Sequence, residues 1–163
     1  MLRKCLLVCL FTMTFFGCAT RMPLVSTLRD SSIPKEEHSV LSMTFTMVNV
    51  RIDGQRVTSG SGAGYGSKAP IILLPPGKHT VVASYQRDMS NTSQTVIEHT
   101  GDLSIEYEFS GSRFYHLFPV FNGNTVSLRI VDETDPFVWE NSQERGRAQL
   151  RVDNARKAIA GLK

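Results

Sequence analysis

Cysteine is scarce in this chain, and its placement makes it scarcer still. Cys5 and Cys9 lie within the first ten residues and Cys18 is the third and last, so a body that begins near residue 18 has no internal disulfide and must be held by its core. No apolar run approaches the roughly 20 residues that a spanning helix needs; residues 5–16 come nearest. No G-x-S-x-G elbow, phosphate-binding G-x-x-x-x-G-K-S/T or H-E-x-x-H pattern occurs. His38, His79, His99 and His116 are the only histidines. No two stand at ligand spacing, which predicts no metal site. Charge of one sign is also missing. The formal net charge is +3, and two of those cations, Arg3 and Lys4, sit at the extreme N-terminus. This gives no basic surplus for nucleic acid.

What is present begins with the leader. Arg3-Lys4, an apolar stretch over residues 5–16, and Gly17-Cys18-Ala19 have the three parts of a cleaved export signal. The stretch Phe15-Phe16-Gly17-Cys18 resembles the lipobox of bacterial lipoproteins. That resemblance implies cleavage between Gly17 and Cys18, diacylglycerol on the Cys18 thiol and acylation (palmitate or a similar chain) of the new amine. It also accounts for an otherwise unpaired thiol in an exported chain. Ordinary signal cleavage after Ala19 is the alternative, because Gly17 and Ala19 are both small. Two or three acyl chains anchor stably where one does not, and Ala19 rather than Asp after the cysteine implies the outer membrane in enteric-type bacteria. Residues 18–38, with Pro23, Pro34, Ser31 and Ser32, read as lipidated Cys18 and a tether.

Beyond residue 38 the apolar period changes to two. Met43, Phe45 and Met47 alternate with threonines, then Val48, Val50 and Ile52 alternate with Asn49 and Arg51. The change of parity at Met47-Val48 predicts a bulge or strand break. Asp53-Gly54 predicts a tight turn and Pro75-Pro76-Gly77 another. Further strands are expected over 71–74, 79–86, 94–100, 103–109, 114–121 and 125–131, with turns at Ser110-Gly111-Ser112 and Asn122-Gly123. Short strands with a turn about every ten residues predict an all-β, antiparallel sandwich over 39–135, with a small barrel as the alternative. In the segment 136–163, Ala148, Val152, Ala155, Ile159 and Leu162 recur at helical spacing, with Arg147, Arg151, Arg156 and Lys157 on the other faces. This helix is expected to pack on the sheet, or else to serve a membrane surface or partner.

Three segments occur in a recognisable order: Val50-Arg51-Ile52-Asp53-Gly54, then Leu74-Pro75-Pro76-Gly77-Lys78-His79-Thr80-Val81, then Phe109-Ser110-Gly111-Ser112-Arg113-Phe114-Tyr115. They resemble the PEGA-like and DUF2846-like domains of bacterial lipoproteins over about residues 48–118. The resemblance implies an Ig-like or transthyretin-like sandwich at the cell envelope and no known chemistry.

Candidate chemistry is thin. The Gly/Ser loop around Gly62, Tyr65 and Gly66 lacks the spacing and the following helix of a phosphate cradle; it is expected to be an interaction loop. Glu106 and Glu108 share the polar face of a strand, and residues 132–135 read as a solvated acidic link. Tyr65, Tyr85 and Trp139, if exposed together, would make a glycan platform. Two expectations follow. The first is a non-catalytic, membrane-anchored envelope protein, without cofactor, that presents a sandwich to a protein or glycan partner. The second is a small hydrolase or ligand carrier whose site assembles in space, with two of His79, His99 and His116 beside a carboxylate in a pocket.

Overall fold

The computed structural model describes residues 25–28, 30–44, 46–57, 71–88 and 97–162. Among these residues ten strands form two sheets: β1 Val25–Thr27, β2 Ser39–Met43, β3 Met47–Ile52, β4 Gln55–Arg56, β5 Ile71–Leu74, β6 Gly77–Asp88, β7 Ile97–His99, β8 Leu103–Phe109, β9 Phe114–Asn122 and β10 Thr125–Asp132. The α-helix among them, α1, runs Ser142–Ala160. The first sheet has the order β1-β5-β2-β9-β10. In it β1 pairs parallel with β5 and β2 parallel with β9, while β2–β5 and β9–β10 are antiparallel. The second has the order β4-β3-β6 and is antiparallel, with β7 and β8 both on the far edge of β6.

The sheets meet face to face. Leu41, Met43, Ile72, Leu74 and Leu117 of the first pack against Val50, Ile52, Val81, Ala83 and Phe109 of the second in one core. The chain crosses between sheets between Met43 and Met47, just before the change of apolar parity. A register shift lies in β3 between Val48 and Arg51, around Asn49 at φ 53°. The expected break at Met47-Val48 is thus two features, a crossing before it and a bulge just after it.

A third layer covers the other face of the first sheet. Val40, Ile71 and Leu73 pack there against Ala155 and Ala158 of α1, with Phe114, Ile159 and Leu162 at the margin. Being clad on both faces, β2 and β5 are buried at every residue, and this explains why Ile71–Leu74 is a continuous apolar run rather than an alternating one. α1 starts where Asn141 Oδ1 accepts from the Gln143 N–H at 2.8 Å, an ordinary side-chain cap. The helix therefore packs on the sheet through Ala148, Val152, Ala155 and Ala158. Among the described residues no helix is long and apolar enough to cross a membrane.

The sandwich is mixed rather than antiparallel as expected, because β1–β5 and β2–β9 pair parallel, and β6 runs Gly77–Asp88, longer at both ends than the expected 79–86. Two further features differ from the sequence expectation. Val25–Thr27, expected in the tether, pairs with Ile71–Leu73, because the edge of a sheet offers its unpaired amides to any extended segment close by. The β9–β10 hairpin pairs Asn122 with Thr125, so Gly123-Asn124 is the turn, one residue beyond the expected Asn122-Gly123. Gly123 takes the positive φ of 59°.

Candidate functional site

The conspicuous turn motifs prove to be tied to one another. Asp53 and Gly54 both have positive φ, 50° and 77°, and close the β3–β4 hairpin. Asp53 Oδ1 accepts from the Thr80 N–H at 2.9 Å and Oδ2 lies 2.6 Å from His79 Nδ1. His79 Nε2 in turn lies 2.9 Å from the Pro75 carbonyl oxygen. Partial burial raises the Asp53 carboxyl, but the bonds from His79 and Thr80 outweigh it and hold its pKa below the usual value. The Asp-Gly and Pro-Pro-Gly-Lys-His motifs therefore form one clasp joining the β3–β4 hairpin to the start of β6. Lys78 and Glu106, 2.6 Å apart, add an exposed ion pair between β6 and β8.

A denser polar cluster lies beneath α1. The parallel β2–β9 register sets Ser42 opposite His116, on the face that the helix covers. His116 Nδ1 is 2.9 Å from Ser42 Oγ, and that hydroxyl donates to the Tyr115 carbonyl at 3.1 Å. With the serine proton on a backbone oxygen, the ring supplies its own Nδ1 proton to Ser42. That is the reverse of a base activating a nucleophile. Burial, and secondarily the nearby Arg151 cation, push the His116 pKa down to about 3. Glu133, 1% exposed, accepts from Trp139 Nε1 at 2.8 Å and from Arg151 Nε at 2.8 Å, with a further bond from Arg151 Nη2. The void beside Ser42, Glu133 and Arg151 is about 10 Å³, room for one water at most.

Several expectations change here. Glu133 is no part of a solvated acidic link; it follows β10 and lies under the helix, paired to a cation. Arg151, expected on the outer face of α1, turns inward to meet it. Tyr85 is 3% exposed and Trp139 bonds Glu133, so the two do not form an aromatic platform. The candidate histidines do not converge either: His79 belongs to the turn clasp, His116 to the buried cluster, and His99 is exposed on β7. Glu106 and Glu108 are solvent-exposed as expected. Gly17, Cys18, Gly62, Tyr65 and Gly66 lie outside the described residues. The missed feature, the Glu133–Arg151 pair, had one trace in the sequence: arginines at 147 and 151, one turn apart, bracket the inward-facing Ala148.

Comparison with protein-family models, with curated proteins and with solved structures finds no match.

A second concavity is open to solvent. A groove of about 450 Å³ lies between the turn at Lys35–Glu37, the start of β9 and the C-terminal end of α1. Its walls carry Lys35 and Arg156 as well as the apolar side chains of Val40, Phe114 and Ile159.

Proposed function

We propose that this chain is a bacterial lipoprotein. It is cut before Cys18, held to the envelope (in the outer membrane) by lipid on that cysteine, and presents its β-sandwich, Ig-like or transthyretin-like in kind, to a protein or glycan partner without catalysing a reaction. The observation that carries the proposal is Phe15-Phe16-Gly17-Cys18 at the end of a short apolar run behind Arg3-Lys4. In this reading Cys18 is the one downstream cysteine and has a chemical role. The PEGA-like assignment rests on the order of the turn motifs in the sequence. Strand β1 begins at Val25, so the seven residues from the lipid to the sheet span at most about 25 Å. The domain then sits close to the headgroups.

The test is metabolic labelling with an alkynyl fatty acid, followed by fractionation. The native chain is expected to carry label and sediment with membranes. Cys18→Ser is expected to lose both. A Cys18→Ser chain that stays labelled and membrane-bound, or a native N-terminus at Thr20 with no added mass, overturns the reading.

A further inference from the structure

The open groove at the C-terminal end of α1 combines three properties that nothing in the lipid-anchor reading uses. It is concave and, at about 450 Å³, falls in the range of about 300–1,000 Å³ common to small-molecule sites. Its cations stand beside an apolar wall. Lys35 Nζ donates to the Leu162 carbonyl at 3.0 Å, which leaves further ammonium protons to offer. The Arg156 guanidinium lies 5.2 Å over the Phe114 ring, its closest carboxylate contact being a loose one to Asp153 at 3.9 Å. Finally, a buried polar atom is left without a partner. His38 is 1% exposed; its Nδ1 is 3.0 Å from the Pro34 carbonyl oxygen, which can only accept, so the ring proton sits on Nδ1. Nε2 is buried and, among the described residues, has no hydrogen-bond partner, a state that ordinarily destabilises the fold.

We propose that this groove binds a small amphipathic carboxylic acid, with its alkyl or aryl body over Val40, Phe114 and Ile159 and its carboxyl group at Lys35 and Arg156. Charge complementarity selects the head group. Among the lining side chains, Lys35 and Arg156 against Glu36 leave one net positive charge, the complement of a monoanion rather than of a phosphate dianion; Asp153, 3.9 Å from Arg156, lies outside that lining. The orphaned imidazole is answered when binding takes up one proton from solvent: one carboxyl oxygen shares it with His38 Nε2 and the other accepts from the guanidinium or ammonium. The ligand has to part the side chains that cover Nε2, and filling that bond offsets the cost of doing so. This inference stands apart from the lipid on Cys18 and survives if that reading fails.

The test uses the full chain in uncharged phosphatidylcholine nanodiscs, titrated with octanoate and followed by NMR at the His38 ring and the amides of residues 35–38 and 112–114. Octanol, acetate and octyl phosphate serve as comparison probes. Octanoate is expected to give a saturable shift at His38. Lys35→Gln and Arg156→Gln are each expected to weaken it about tenfold, the loss of one charge-assisted hydrogen bond. Arg145→Gln, which alters a half-buried cation over the Phe137 ring elsewhere on α1, should change nothing. The amides of Ser42 and His116 report that each variant is folded. Shifts no larger than those from octanol, affinity unchanged in both groove variants, acetate binding as tightly as octanoate, or tighter binding of octyl phosphate would each overturn the assignment.

Discussion

At the scale of single residues, the buried polar groups beneath α1 set how the protein responds to acid. His116 stays neutral until about pH 3 in the folded state, whereas an unfolded imidazole takes up its proton near pH 6.5. The unfolded chain therefore binds more protons than the folded one between those values, and stability falls as pH drops through the window, by up to about 1.4 kcal/mol per pH unit. The depressed carboxyls of Asp53 and Asp132 act in the same direction, from about pH 5 downward, as the unfolded aspartates begin to take up protons. The interval from pH 6.5 to about 5 thus isolates the histidine. Denaturant melts of the native chain and of His116→Gln across that interval are expected to show a shallower pH dependence in the variant; equal slopes would mean that the ring is protonated in the fold. Glu133 and Arg151 belong to the same stratum. A carboxylate so fully buried is tolerable because one guanidinium and one indole N–H occupy both of its oxygens.

At the scale of elements, the connections are as constrained as the strands. Gly111, in the β8–β9 turn, packs against the turn at Lys35–Glu37. A Cβ added there would lie 2.5 Å from the Glu37 carbonyl oxygen, and that backbone is held in place because the Ser112 N–H donates to the His38 carbonyl and the Ser112 hydroxyl donates to that of Glu36. Gly111→Ala is expected to destabilise by about 1–3 kcal/mol, as overpacking does, measured as a lowered denaturation midpoint with unchanged m-value. The glycine at 146, with nothing near its added Cβ, should accept alanine without loss. The clasp through Asp53 and His79 explains why the two turn motifs occur together: the aspartate that permits the first turn is also the acceptor that orients the second.

At the scale of the whole molecule, α1 is the layer that closes the fold. Without it Val40, Ile71 and Leu73 would face water, and each aliphatic side chain so exposed forfeits about 1.5–3 kcal/mol. A chain ending at Glu140 is expected to bind a hydrophobic dye, associate and melt at lower temperature. A monomer with native stability would show that the helix is an accessory. The same layering puts the groove at the helix end, where β9, the turn before β2 and α1 diverge. A groove opens there because three elements that pack closely at their centres cannot all remain in contact at their ends.

Much of this was legible in the residues themselves. Alternation located β8 nearly to the residue, the unbroken run Ile71–Leu74 announced a strand with no wet face, and Ala148, Val152 and Ala155 marked the buried stripe of α1, because burial on one face or two leaves its period in the chain. The proposed leader and its cysteine rest likewise on local composition. What the chain order could not contain is which polar residues meet. Ser42 and His116 are joined by a parallel strand register, Glu133 and Arg151 by the seating of a helix on a sheet, and Lys35, His38 and Arg156 by the edge where three elements part. Those contacts depend on distances between segments remote in sequence, and only closure of the three layers brings them within hydrogen-bonding reach.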